Sequence, residues 1–382
     1  MKASMKILSY LSIGSNYRYF DLPIETHKEL LTKFGDAYND WERSYKQYQC
    51  QCIFMPVWSR VGQNIVAAVV FPLVLLFLLF KCSYSRRGEK CDAIGEFKGM
   101  PEIVPDVLNR EFKINIDYWF SGTHMNISDI IYTVKLAVYC PLSPLFVIKN
   151  ALKIAKYSYM IYCHSPRAII VHNEYSFTSS VLTDYCHHHG VQHIDVMHGE
   201  KLFNIRDAYF HYDRTYVWDE YYINLFRRLK AEPSQFIVAA PESLNIDCGK
   251  YQDSKYYADY KYYLAVVSEE KLKNIIASMS FAAAEGKSVK YRLHPRYTDV
   301  ALAERLVGKK HIEYPKEVSI MSSVANCGCV VGCYTTVLNQ ATHSGKAILL
   351  DDMAEKEMFD KLKDFDYILI NKGLPVLSSK QG

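Results

Sequence analysis

Along its C-terminal third the chain alternates short apolar runs with segments of helical period, and no other feature constrains the fold as tightly. Tyr262–Val267, Val289–Leu293, His311–Tyr314, Gly328–Val331, Ala347–Leu350 and Tyr367–Ile370 read as strands. Between them Glu269–Glu285, the stretch from Thr298 or Asp299 to Val307, Glu317–Ala325, the stretch from Thr336 to just before Gly345, and Met353–Lys363 read as helices. Gly286 stands where a helix end calls for a left-handed residue. Such alternation means parallel strands with right-handed crossovers, hence a doubly wound α/β layer. The middle of the chain repeats it, with strands at Ala168–Val171, His193–Met197 and Thr215–Trp218 and helices at Phe177–His189 and Glu220–Leu229.

At 382 residues the chain suits two domains better than one. The segment Pro241–Tyr260 mixes Pro, Asp, Ser and Lys and reads as a linker. The expected division is an N-terminal domain over 1–235, a linker over 236–260 and a C-terminal domain over 261–382. The tyrosine-rich stretch Tyr251–Tyr263 reads as amphipathic surface and linker.

Ile65–Phe80 is an uninterrupted apolar run of 16 residues. As a helix it measures ~24 Å, short of the ~30 Å bilayer core. Extending it to a helix over 61–80 brings in Gly62, Gln63 and Asn64. Two arrangements compete. One is a single span with residues 1–60 outside, oriented by Lys81, Arg86, Arg87 and Lys90 on the cytoplasmic flank. The other is a helix after a strand at Cys52–Val57, packed inside the domain or lying on a membrane surface. Length favours the second. The N-terminus has no signal-peptide apolar region. Residence on the cytoplasmic side of a membrane is therefore expected.

Charge excludes one class of partner. The chain has 45 basic and 41 acidic residues, without the clustered excess that nucleic-acid binding needs. Its 11 Cys fall in no zinc-like quartet and read as free thiols in a reducing compartment. Consecutive His187, His188 and His189 on a helix point about 100° apart, so no metal site is expected there. Walker A, G-x-G-x-x-G and G-x-S-x-G sequences are absent.

Ligands of open α/β sheets bind beyond the carboxyl ends of the strands, and polar residues stand at several of these ends. His294 and Pro295 follow Val289–Leu293, with Arg292 and Arg296 alongside; the imidazole suits a phosphate contact. Tyr334, Thr335 and Thr336 open a helix directly after a strand, where amides and hydroxyls suit an anion. His172-Asn173-Glu174 and His198-Gly199-Glu200 follow two middle strands, and Glu174 or Glu200 suits a general base. Asp184, mid-helix, reads as structural.

The segments HNEYSFTSS, DVMHGE with TYVWDEYY, YRLHPRY and VVGCYTTVLNQATHSGKAILLDD resemble those of bacterial GT-B-type glycosyltransferases of surface-polysaccharide synthesis. The pattern is nearest to sialyltransferases, polysialyltransferases and capsular Kdo transferases, and spans roughly residues 165–352. The resemblance implies a GT-B-like α/β fold of two Rossmann-like, doubly wound domains facing across a cleft. It implies that His294 and Pro295 match the family's HP motif, whose His assists departure of the nucleotide phosphate. Thr335 and Thr336 would match its phosphate-binding Ser/Thr pair. The implied activity is inverting and metal-independent, moving sialic acid or Kdo from a CMP-linked donor to a lipid-linked or oligosaccharide acceptor of capsule, O-antigen or lipooligosaccharide. Glu174 or Glu200 would act as base, on the cytoplasmic side of the bacterial inner membrane. Two rivals share the expected fold: a CDP-polyol phosphotransferase, and a non-catalytic scaffold of a polysaccharide assembly complex. A transporter needs several spans, and the sequence has one candidate.

Overall fold

The computed structural model describes residues 20, 22–80, 90–97, 101–116, 122–265 and 267–380. They divide into two compact units. The first runs up to His198 and resumes over Phe203–Ala239; the second takes Gly199–Leu202 and everything from Ala240 onward.

The first unit opens with α1 (Ile24–Phe34), α2 (Asp40–Cys52) and α3 (Val57–Phe80). Asn39 caps α2 by accepting the Glu42 N–H at 2.9 Å. Helix α2 runs to Cys52 and Pro56 immediately precedes α3, so the strand expected over Cys52–Val57 is a helix end, a turn and a helix start. A short apolar run between two helices has no period that tells strand from helix. There follow β1 (Ala93–Gly95), α4 (Asp106–Glu111), β2 (Ile114–Asn115), α5 (Ile127–Tyr139), α6 (Pro144–His164), β3 (Ala168–Val171), α7 (Ser179–His188), β4 (Gln192–Val196), β5 (Arg214–Val217), α8 (Glu220–Arg228) and β6 (Phe236–Val238). The strands make one parallel sheet in the order β2-β1-β3-β4-β5-β6, whose chain order reverses between β1 and β3. Its core joins Ala93, Ile170, Ile194 and Tyr216 of the strands to Leu108 of α4 and Phe112 just after it. All four residues of β3 are buried, as befits a strand covered on both faces.

Helix α3 differs from a core helix. Of its 24 residues only Ala67 and Leu78 are buried. Ala67 packs with Leu145 and Ile148 of α6, and Val70, Phe71 and Val74 lie alongside. The remaining surface is apolar and open, with Trp58 79% and Phe80 82% exposed. The expectation of a helix packed inside the domain is thereby corrected. Both flanks of α3 belong to the first unit: Trp41 of α2 donates to Asp184 of α7 at 3.0 Å, and β1 pairs with β3.

The second unit contains β7 (Ala258–Tyr263), α9 (Glu269–Ser278), α10 (Ser280–Ala284), β8 (Val289–Arg292), α11 (Val300–Val307), β9 (Ile312–Glu313), α12 (Ile320–Ala325), β10 (Cys327–Gly332), α13 (Thr336–His343), β11 (Ala347–Leu350), α14 (Lys356–Asp364) and α15 (Ile368–Asn371). Its sheet is parallel throughout, in the order β11-β10-β7-β8-β9. This is the order of a Rossmann half, with the reversal between β7 and β10. Both units are thus Rossmann-like α/β layers.

Three expectations shift. Phe236–Val238, expected in the linker, adds β6 to the first sheet, and the division falls at Ala239 and Ala240. The strand expected over Tyr262–Val267 begins earlier, at Ala258, inside the stretch read as surface and linker; Val266 lies outside the described residues. Tyr262 is buried there, its hydroxyl donating to buried Asp351 at 2.5 Å, so a polar tip in the core disguises a central strand. Tyr367–Ile370 is not a strand: Asp366 is left-handed (φ 59) and Ile368–Asn371 is one helical turn. Among the described residues the cysteines form no disulfide, and Cys50, Cys52, Cys140, Cys163, Cys186, Cys327 and Cys333 are buried.

Candidate functional site

In the second unit the parallel strands deliver their carboxyl ends to one edge. The registers Tyr263 with Arg292 and Tyr262 with Val331 bring the exits of β7, β8 and β10 side by side. Strands β8 and β10 flank β7, so they lie roughly 10 Å apart at this edge.

His294 leaves β8 in a braced loop. Its N–H donates to Thr298 Oγ1 at 2.8 Å, and Thr298 Oγ1 donates to the Ala265 carbonyl, past the end of β7, at 3.1 Å. Its ring lies 4.4 Å from that of Tyr297, stacked at 24°. Nδ1 accepts the Arg296 N–H at 3.1 Å, so the neutral ring carries its proton on Nε2. Burial, aided by the Arg296 charge, holds the His294 pKa below its ordinary value. At neutral pH the group is therefore a neutral donor. Pro295 and Arg296 are exposed. Arg292 is not part of this surface. It is 6% exposed and donates to Glu313 Oε1 at 2.6 Å, while buried Lys261 donates to Glu313 Oε2 at 2.6 Å. Burial pushes the Glu313 carboxyl up, but Lys261, Ser323 and Arg292 outweigh it and the net shift is downward.

Thr335 caps α13, its side chain accepting the Val337 N–H at 3.4 Å. Thr336 is the first helical residue and is exposed; Tyr334 packs edge-on to Tyr367 at 5.4 Å. The first turn of α13 carries no acid, whereas α9, after β7, carries Glu269 and Glu270 in its own. Of these two helix starts, that of α13 is the one electrostatically open to an anion. Glu200 belongs to this unit and accepts a hydrogen bond from Asn339 of α13. Glu200 thus has a tethering bond within the second unit, whereas Glu174 belongs to the first.

In the first unit β3 and β4 are neighbours, and their exits bring His172, Glu174 and His198 together. Glu174 Oε1 lies 3.7 Å from His198 Nδ1, and the rings of His172 and His198 lie 4.5 Å apart. The Glu174 side chain is 1% exposed and that of His198 27%, so the imidazole is the member a substrate can reach. Asn173 N–H donates to buried Asp195 at 2.9 Å. Two glutamines of α2 fasten this loop: Gln47 donates to the Glu174 carbonyl at 2.9 Å and Gln51 to the Tyr175 carbonyl at 2.7 Å. Sequence reading singled out Glu174 but missed His198 as its partner. The signal was available, since each ends a strand with a polar residue, but pairing them requires the strand order.

No protein-family model and no curated protein matches the chain. Among solved structures it is similar to UDP-N-acetylglucosamine 2-epimerase from Rickettsia bellii, at 12% identity over 69% of this chain and 79% of that one, TM-score 0.38. It is similar to the wall teichoic acid polymerase TagF, at 9% identity over 90% and 88%, TM-score 0.41. It is also similar to Anabaena HepE in complex with UDP and glucose, at 10% identity over 63% and 79%, TM-score 0.35.

Proposed function

We propose that the chain is a GT-B-like transferase of surface-polysaccharide synthesis, moving a sugar from a nucleotide-linked donor to a hydroxyl of a lipid-linked glycan. One observation carries this: a Rossmann-ordered sheet presents, at one edge, an imidazole with its Nε2 proton free to donate and an acid-free helix start. Both suit a phosphate. Amides and hydroxyls at Thr335 and Thr336 hold the phosphate, His294 donates to it, and exposed Arg296 adds positive charge. In the other unit, the acceptor proton passes to His198, with buried Glu174 as counter-charge. The acceptor oxygen attacks the anomeric carbon as the bond to the phosphate oxygen breaks, and that electron pair leaves with the nucleotide. Direct displacement inverts the anomeric carbon, and leaving-group charge is met by protein groups without a metal. The donor we propose is a CMP-linked acidic sugar, sialic acid or Kdo. Because its two flanks belong to one unit, we read α3 as lying along the cytoplasmic face of a membrane.

A thermal-shift panel of nucleotides on detergent-solubilised protein tests the donor, since a bound ligand stabilises by mass action. Cytidine nucleotides are expected to raise Tm; a response to uridine or deoxythymidine nucleotides alone overturns the CMP assignment. Phosphorus analysis of the product tests the bond cleaved. Phosphorus transferred with the donor group overturns glycosyl transfer in favour of polyol-phosphate transfer.

A further inference from the structure

A groove of about 530 Å³ opens in the first unit where α3 meets α2 and the turn before α6. Its walls are the polar Tyr45, Arg60 and Asn64 and the apolar Val61, Ile65 and Leu142. Among the described residues Arg60 is its one cation, and no carboxylate lines it. The Asn64 amide is fixed in the wall: its Nδ2 donates to the Arg60 carbonyl at 2.9 Å, and its Oδ1 accepts the Leu145 N–H at 3.2 Å. Across the groove, the Tyr45 hydroxyl and Ser143 Oγ lie 3.0 Å apart. The lip is apolar and open, with Ile65 61% and Leu142 87% exposed.

The groove straddles the point where α3 changes character. Arg60, Gln63 and Asn64 precede it; from Ile65 to Phe80 every side chain is apolar. Ile65, Val69, Leu73, Leu76 and Phe80 are all exposed and recur every three or four residues, so they form one stripe along the helix. That stripe starts at the groove and runs about 22 Å. A hydrogen-bonding, singly cationic pocket joined to a purely hydrocarbon track has two halves, and each selects a different part of one molecule.

We infer that this groove seats the phosphate headgroup of a membrane lipid, with the hydrocarbon tail laid along α3. The anion answers Arg60, with Tyr45 and Asn64 beside it; the tail covers apolar surface otherwise in water. A free phosphate has no use for the stripe, and a peptide would bring backbone groups that the stripe cannot hydrogen-bond. In the proposed transferase, on which this point rests, such a lipid is the carrier of the growing glycan, so the groove would select the acceptor by its anchor.

The test is equilibrium binding of undecaprenyl phosphate to the full chain in mild detergent, with undecaprenol and inorganic phosphate as controls. Undecaprenyl phosphate is expected to bind tightest. Arg60→Gln is expected to weaken it by about 10-fold or more, while Arg60→Lys retains part of the affinity. Equal binding of undecaprenol, or Arg60→Gln binding as well as wild type, overturns the inference. Competition by inorganic phosphate at the same concentration as the lipid reassigns the groove to a free anion, and failure of any lipid to bind while a second protein co-purifies on the stripe reassigns it to a protein partner; both overturn it. The nucleotide thermal shift, read on the same preparation, keeps this separate from the donor assignment: Arg60→Gln is expected to leave that shift unchanged.

Discussion

His294→Ala isolates the donor-side chemistry, because the structure separates what the imidazole does for the loop from what it offers a ligand. For the loop it accepts one backbone N–H, from Arg296, and stacks on exposed Tyr297. That amide is exposed and gains water when the ring is removed, so the stability cost is at the low end of about 0.5–1.5 kcal/mol for a hydrogen bond. For a phosphate it offers the Nε2 proton, and a hydrogen bond to a charged group contributes about 1.5–3 kcal/mol. Nucleotide affinity should therefore fall by about 10- to 150-fold while Tm falls by about 3 °C or less. Thr298→Val is the contrast: it removes the hydroxyl that ties His294 N–H to the Ala265 carbonyl, so stability should drop with a smaller loss of affinity. Titration adds a sign. Burial and Arg296 lower the His294 pKa, and a bound phosphate favours the imidazolium, raising it again. Affinity should then rise as pH falls from 7.5 to 5.5 in the wild type, and rise less in His294→Ala. Calorimetric titration of cytidine monophosphate into both proteins measures all of this. An affinity changed less than twofold by His294→Ala, with an unaltered pH profile, would refute the phosphate role.

Other variants probe the rest of the molecule. Glu174→Gln and His198→Gln should each lower kcat by about 10²- to 10⁴-fold, and the double variant little further, because the two act as one base; additive losses in a rate assay would separate them. Glu200→Gln should leave kcat within a few-fold and lower the denaturation midpoint, since its bond is to Asn339. Glu313→Gln leaves Lys261 and Arg292 buried without a carboxylate and should cost about 3–5 kcal/mol in urea unfolding. His193 and His27 are buried, and desolvation lowers their pKa values to about 3 and about 4. Below pH 6.5 the unfolded chain takes up protons that the folded chain refuses. Their stabilising contribution, full above pH 6.5, should fall by about 1.4 kcal/mol per pH unit for each group as pH drops toward those values. Urea midpoints from pH 7.5 to 5 check this.

Much of the second unit was legible because its punctuation is local. Pro295 ends the β8 exit, Gly286 takes the left-handed conformation a helix stop needs, and Val330 and Val331 read as strand on composition alone. Strand β7 was obscured because Tyr and Lys fill it: Lys261 and Tyr262 look exposed, and only their buried partners Glu313 and Asp351 make them core residues. The same partner, Glu313, withdraws Arg292 from the loop it seemed to charge. Strands β1 and β2 are too short to rise above noise, and α2 hides its two loop-fastening glutamines in a polar helix. Pairing Glu174 with His198, and moving Glu200 into the other unit, depend on tertiary neighbours that no local pattern encodes.

Crystals of the protein soaked with cytidine monophosphate would test the central claim most directly. The expected map places a phosphate within hydrogen-bond distance of His294 Nε2 and the Thr336 N–H that opens α13. A nucleotide bound elsewhere, with those groups untouched, would contradict it.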